Sequence, residues 1–384
     1  MKVCLLGTEF YSDNRGCGAL AYSAVNILQQ VAKSRSEDLE IIAILFNNRM
    51  IKEYVDKEGI TLSTIKIQPK KIEFWKKCGQ VFERCDCVLD FSMGDSFADI
   101  YGVKRFYLAS ALKVLAIHKN SCFIMAPQTI GPFSKRGPIC LAKYILKRSR
   151  YCFVRDSLSL NYMKSLVNRD IYLSTDVAFS LPYLRTEKAY TGKIRIGLNP
   201  SGLLWNGTEA FNTSKHITID YHEYIRTLLK KWTEDDRYEV YLIPHVFNKE
   251  MIGAENDLVV CEELEKEFEN TAVVKNYSTP MEIKGFISGL DIFIGARMHA
   301  TVAAFSSGVA VIPVSYSRKF EGLFYDLDYK RIICATKIGT KEAIQKTLEW
   351  VENYLELGEE IKVSQCQLKQ KQDIFYDVLY SIGK

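Results

Sequence analysis

Nothing in this chain stays apolar for the roughly 18 residues that a bilayer-spanning helix demands, so an integral membrane protein is not expected. The opening Met1-Lys2-Val3-Cys4-Leu5-Leu6-Gly7 has too short an apolar stretch for a secretory leader and reads as a strand entering a turn. The dinucleotide fingerprint G-x-G-x-x-G is missing where it would be looked for, since the first strand leads instead to Asn14-Arg15-Gly16-Cys17-Gly18-Ala19. Matched Cys or His pairs are also missing. Cys85 and Cys87 stand two apart with no second pair, which speaks against a zinc site. The eleven cysteines are scattered, several in apolar strings such as those around Cys4, Cys122, Cys152 and Cys334, and read as buried thiols of a reducing cytoplasm. Charge is nearly balanced, 51 basic against 46 acidic residues, with no block that would make a nucleic-acid arm. The local patch of Lys143, Lys147, Arg148 and Arg150 reads as a solvated helix face. At most it suggests a peripheral membrane contact, relevant if a substrate is lipid-linked.

What is present is alternation. A chain of 384 residues has room for roughly two to three cores. Strand-length apolar runs at 2–6, 39–46, 62–67, 87–91, 122–126 and 151–154 alternate with helical spacing at 19–31, 103–118, 139–148 and 157–166. After the polar stretch 182–191 a second series begins, with strands expected at 193–198, 239–243, 272–274, 292–294, 310–314 and 332–334. Helices are expected there at 221–232 and 258–268, with tail helices at 341–357 and 368–382. The expected class is α/β: two Rossmann-like, doubly wound domains facing across a cleft, at 1–182 and 192–340, with 341–384 adding helices that pack back on the first.

The chemistry concentrates in Gly295-Ala296-Arg297-Met298-His299-Ala300-Thr301, which follows an apolar run and precedes small residues. That pattern is strand, turn, helix, and it sets a guanidinium and an imidazole beside a helix amino terminus at the carboxyl edge of a sheet. Arg forks suit carboxylate or phosphate, and His moves protons near neutral pH. An Arg paired with an acid and a His satisfied by backbone is the blander alternative. His245 ends another expected strand at Pro244-His245-Val246, and Lys319 or Arg318 follows the strand ending at Val314. In the first half, Asn14 and Gly16 link strand one to helix one, and Gly94 and Asp95 lie in the loop after strand four. Asp95 suits a sugar hydroxyl, with helix capping as the default. Gln128 sits in a turn-rich loop, and Arg155 at a strand end is as suited to bracing the domain as to touching ligand.

In chain order, Asn14-x-Gly16, Gly94-Asp95-Ser96, Gln128-Thr129-Ile130-Gly131-Pro132, Arg155-Asp156-x-x-Ser159, Asp176-x-Ala178-Phe179, Gly295-x-Arg297-x-His299-Ala300 and Tyr316-x-x-Lys319-x-x-Gly322 resemble the polysaccharide pyruvyl transferase family. The resemblance implies a GT-B-like pair of domains and transfer of pyruvate from phosphoenolpyruvate to sugar hydroxyls of a bacterial surface glycan or its precursor, giving a ketal. It further implies that Arg297 and His299 serve donor binding and catalysis. Cys17 stands where many members carry Asp, and Ser92-Met93-Gly94 replaces a more glycine-rich string; both departures fall on the expected acceptor side. On this reading Arg297 clamps the donor, aided by Lys319 or Arg155, His299 is the general acid, and Asp95 or His245 takes the hydroxyl proton. No metal or cofactor is called for. The acceptor is a glycan, lipid- or nucleotide-linked. Two alternatives stay open: a nucleotide-sugar glycosyltransferase of GT-B type, and a non-catalytic glycan- or anion-binding protein.

Overall fold

Val, Ile, Leu and Cys runs buried on both faces build two parallel sheets, as strands covered by helices on either side require. The computed structural model describes residues 1–46, 60–187, 192–247 and 255–382, apart from the side chains at 209, 210, 318 and 319. The first sheet holds β1 (Lys2–Leu6), β2 (Glu40–Leu45), β3 (Thr61–Lys66), β4 (Cys87–Asp90), β5 (Phe123–Met125), β6 (Tyr151–Val154) and β7 (Tyr172–Leu173). Their order is β3-β2-β1-β4-β5-β6-β7, with every pairing parallel. The second holds β8 (Ile194–Asn199), β9 (Tyr238–Leu242), β10 (Thr271–Val273), β11 (Ile292–Gly295), β12 (Ala310–Ser315) and β13 (Ile333–Cys334). Its order is β10-β9-β8-β11-β12-β13, again parallel throughout.

The chain divides into two compact units, one of 1–12, 20–180 and 368–384, the other of 13–19 and 181–367. Residues 13–19 thus pack with the second unit although they follow the first strand. Tyr221–Thr233 shows how a helix is specified locally. Asp220 caps it by accepting the Glu223 amide at 3.0 Å, and Tyr224, Ile225, Leu228, Leu229 and Trp232 line one buried stripe. Each such side chain contributes about 1.5–3 kcal/mol on burial.

Several elements differ from the spacing-based expectation. The first helix is Arg15–Arg35, so Gly16 and Gly18 lie inside it and not in a preceding loop. Among the described residues several helices escaped the pattern, the short Gly202–Trp205 and Glu209–Lys215 and two longer ones. Ile72–Arg84 buries its apolar stripe of Phe74, Cys78 and Phe82 and exposes the charged pair Lys76-Lys77. Pro280–Ile287 is short but carries a capping box between Thr279 and Glu282, with Pro at its start. The tail is Thr340–Glu352 followed by one long helix, Tyr354–Ser381. Among the described residues no helix is long and apolar enough to cross a membrane.

Within the second unit, Lys284 is almost fully buried, donates to the Leu181 carbonyl at 2.9 Å and lies 4.8 Å from the Tyr183 ring centre. Burial pushes its ammonium pKa down to about 7. The unfolded chain, with an ordinary lysine, therefore binds the proton more tightly, and this group makes stability rise with pH from about 7 towards the usual lysine range. Urea titrations of wild type and Lys284→Met across that window should diverge, wild type gaining relative to the variant as pH rises. Parallel curves would show that Lys284 does not titrate as its burial dictates.

Candidate active site

The second sheet reverses strand order between β8 and β11, and ligands of open α/β sheets bind outside the carboxyl ends at such a point. Asn199, the last residue of β8, is fully buried there. Its Nδ2 donates to the Ile243 carbonyl at 2.8 Å, and its Oδ1 accepts the Arg297 amide at 2.9 Å. One side chain therefore ties the ends of β8 and β9 to the turn after β11. Arg297 is extended (φ −95°, ψ 120°) and precedes the helix Met298–Ser306, whose first turn carries the half-buried His299.

Asp257 organises this end of the unit. It is fully buried at the start of the helix Asp257–Glu267. Its carboxylate accepts the amides of Gly202 (2.8 Å), His245 (3.1 Å) and Val246 (2.9 Å), together with Arg297 Nη2 (2.8 Å) and Nε (3.2 Å). Arg297 Nη2 also donates to the Glu255 carbonyl at 2.8 Å. Burial works against the guanidinium's charge, but the adjoining Asp257 carboxylate outweighs it and holds the pKa above the ordinary arginine value. A buried pair of this kind is sustained by its hydrogen bonds, and removing one member costs about 3–5 kcal/mol. Arg297 thus meets any anion with a carboxylate already at its back, so part of its fork is spoken for.

Residues 13–19 close against the same edge. Asn14 bridges Val246 in antiparallel fashion, the Arg15 amide donates to the His245 carbonyl at 3.1 Å, and the Phe247 amide donates to the Asp13 carbonyl at 3.0 Å. The Arg15 guanidinium lies 4.6 Å over the Phe247 ring centre. Gly16 touches the imidazole itself: a Cβ built on it would stand 2.2 Å from His299 Nδ1. Asn14 Oδ1 accepts the Gly16 amide at 3.0 Å. His245 is buried, and desolvation, reinforced by His299, Arg297 and Arg15, drives its pKa well below the ordinary histidine value. Its imidazole is neutral, and the same burial and neighbouring charges make it a weak base. Burial raises the pKa of Tyr316 beside Arg297, which keeps the phenol protonated.

Of the residues singled out by sequence, Asn14, Gly16, His245, Arg297 and His299 thus gather in the second unit. Lys319 belongs to the helix Arg318–Tyr325, and its side chain lies outside the described residues. Asp257 and Asn199 were not singled out. Asn256-Asp257 signals a helix start, but its partner Arg297 lies 40 residues on, and Asn199 is 98 residues from that same amide.

Gly94, Asp95, Gln128 and Arg155 belong to the first unit, whose strand order reverses between β1 and β4. After β4 the backbone takes left-handed values at Ser92 (φ 43°), Met93 (φ 50°) and Gly94 (φ 87°), a costly arrangement for two non-glycine residues. Beneath them Asp90 and Lys113 form a buried ion pair at 2.5 Å. Gln128 is corrected to a brace: fully buried, its amide donates to the carbonyls of Asp90 (2.8 Å) and Ala126 (3.1 Å). Arg155 is likewise a brace, pairing with Asp176 at 2.5 Å and donating to Thr129 Oγ1 at 2.9 Å. Asp95 does not cap the next helix, Val103–Lys119, whose N-cap is Gly102 (φ 102°). It accepts the Tyr101 hydroxyl at 2.8 Å.

The family model for polysaccharide pyruvyl transferases matches residues 14–318, from the loop against His299 to the start of the helix after β12. The chain belongs to the polysaccharide pyruvyl transferase family. It is therefore a transferase by family. No curated protein matches it in sequence. Among solved structures this pyruvyl transferase family member is similar to Anabaena HepE in complex with UDP-glucose (TM-score 0.59, 10% identity, covering 99% of this chain and 100% of that one). It is similar as well to UDP-GlcNAc 2-epimerase from Neisseria meningitidis (0.62, 9%, 99% of each chain) and to a glycosyltransferase from Rickettsia africae (0.61, 11%, 100% and 98%). At such identities the likeness is one of fold, the GT-B-like class of two parallel-sheet units.

Gly16 gives the transferase a sharp test. Inside a helix, Gly→Ala ordinarily gains about 0.5–1 kcal/mol. Here the added Cβ would collide with the imidazole of His299, so Gly16→Ala should lower the thermal midpoint and turnover together. A variant that is more stable and equally active would show that the contact does not exist.

Proposed function

We propose that this transferase moves pyruvate from phosphoenolpyruvate to two hydroxyls of a sugar in a surface glycan or its precursor, and that the carboxyl edge of the second sheet is the donor end. The observation carrying the reading is that Arg297 and His299 flank one helix amino terminus, with Gly16 pressed against the imidazole. Phosphoenolpyruvate bears a carboxylate and a phosphate on an enol carbon. Amides at the start of Met298–Ser306 and the Arg297 guanidinium suit those charges. Asp257 keeps that guanidinium charged and aimed.

In the reaction one sugar hydroxyl attacks the carbon bearing the enol phosphate while a proton reaches the methylene, turning it into a methyl group. The second hydroxyl then attacks the same carbon, phosphate leaves, and both hydroxyl protons are accounted for by the methyl group and the departing phosphate. His299 delivers the proton to the methylene. His245, held neutral by burial, is a weak base, and the departing phosphate takes the second hydroxyl proton. Among the described residues no three His, Cys, Asp or Glu side chains gather as a metal cage, and this chemistry asks for none. The first unit, with its strained turn at Ser92 to Gly94, is the acceptor side, and the compartment is the cytoplasm, where phosphoenolpyruvate is found.

Incubation with phosphoenolpyruvate and a panel of glycan precursors should release phosphate and add one pyruvate less one water to the acceptor by mass spectrometry. His299→Ala should lose about 10²–10⁴-fold in that rate with its unfolding midpoint unchanged. Thermal stabilisation by UDP- or GDP-sugars but not by phosphoenolpyruvate would favour the glycosyltransferase reading instead.

A further inference from the structure

The first unit carries a surface that the transfer reaction does not use. Three neighbouring helices, Ile72–Arg84, Val103–Lys119 and Arg136–Arg148, cover one face of its sheet and leave an open groove of about 480 Å³ on their outer side. Trp75, Tyr107, Val114, Leu115, His118 and Leu141 line it, with Ala111 between them. These are outward-facing apolar and aromatic side chains, and Tyr107 is 42% exposed. Ile72, on the first of the helices, is 68% exposed. An apolar strip of this kind marks a contact surface more often than a bare face.

The charge around it is one-sided. The three helices hold eleven Lys and Arg against two acids, Glu73 and Glu83, in a chain whose totals are 51 and 46. Glu83 is paired with Lys119 at 2.6 Å, and Lys113 is turned inward to Asp90. The remainder includes Lys76, Lys77, Arg84, Lys104, Arg105, Arg136, Lys147 and Arg148, all exposed. Some are tied to the groove by geometry. Lys104 begins the helical stripe that continues through Tyr107, Ala111 and His118. Arg148 lies 4.2 Å over the Tyr144 ring centre, and the Tyr144 hydroxyl is 3.3 Å from His118 Nε2, so this cation sits at the rim.

We infer that this three-helix face is a docking surface for an anionic lipid bilayer, the aromatic and aliphatic side chains entering the headgroup boundary while the basic rim meets lipid phosphates. Trp and Tyr favour that boundary because one end of each ring is apolar and the other wet. Basic residues beside them add attraction that extends about a Debye length and weakens with salt. Docking there would hold the transferase where a lipid-carried glycan is assembled, although the binding itself does not depend on which reaction the enzyme performs.

The test uses the purified full chain and vesicles of phosphatidylcholine, alone or mixed with phosphatidylglycerol. Co-sedimentation should be at least about tenfold stronger with the anionic vesicles and should fall as salt rises. A Lys143→Glu, Lys147→Glu, Arg148→Glu variant should lose that advantage, and Tyr107→Ser should weaken binding at fixed charge. Both should keep the wild-type unfolding midpoint and wild-type turnover on a soluble acceptor, so loss of docking is distinguished from loss of transfer. Three results would overturn the inference: equal binding, or none, to the two vesicle types; a dimer in light scattering that the triple variant dissociates, making the face a contact between copies; or an RNA oligonucleotide binding where anionic vesicles do not.

Discussion

A buried carboxylate holds the carboxyl end of the second sheet in place. Asp257 has no exposure to solvent, and its two oxygens are shared among three backbone amides and the guanidinium of Arg297. The turns that follow β8 and β9 and the turn after β11 are thereby fixed to one point. An unpaired carboxylate at that depth would be far too costly, so Arg297 must remain charged and extended for the arrangement to exist. With Arg297 fixed, the first turn of Met298–Ser306 is fixed, and His299 takes its position against Gly16. Asn199 repeats the tie from the other side of the strand ends.

The two units solve the same problem with different chemistry. Each reverses its strand order at a central pair and presents loops at that point. In the first unit the supporting pair is Asp90 with Lys113, backed by Ser92 and Gln128, and the loop above it is held in left-handed backbone at Ser92 and Met93. In the second the support reaches the candidate functional arginine directly. The first unit therefore spends its polar network on loop shape, whereas the second spends it on the charge state and direction of Arg297.

Much of the fold was legible before any coordinates. Strands buried on both faces leave continuous apolar runs, and the gaps between them hold helical spacing, so most strand bounds fall within a residue or two of the pattern. Arg297 and His299 were legible for the same reason, since strand, turn and helix lie within a few consecutive residues. Ile72–Arg84 was legible yet missed, since Phe74, Cys78 and Phe82 recur at helical spacing while Lys76 and Lys77 are exposed on the other face. Gly16 and Gly18 read as loop because glycine disfavours helix, but the helix runs through them, and at 16 any larger residue would strike His299.

By itself the sequence determined the class of fold, the number of sheets and the strand end at which Arg297 and His299 stand. These follow from local periodicity, which burial imprints on neighbouring residues. Only the tertiary structure decided that Gln128 and Arg155 are braces, that Asp257 and Asn199 govern Arg297, and that residues 13–19 serve the second unit. Those facts depend on partners tens to hundreds of residues away, and a turn's sequence does not say which of its polar side chains will face inward. Long-range hydrogen bonds leave no period in the chain, and so the residues that orient the site came to light only when the sheets were assembled.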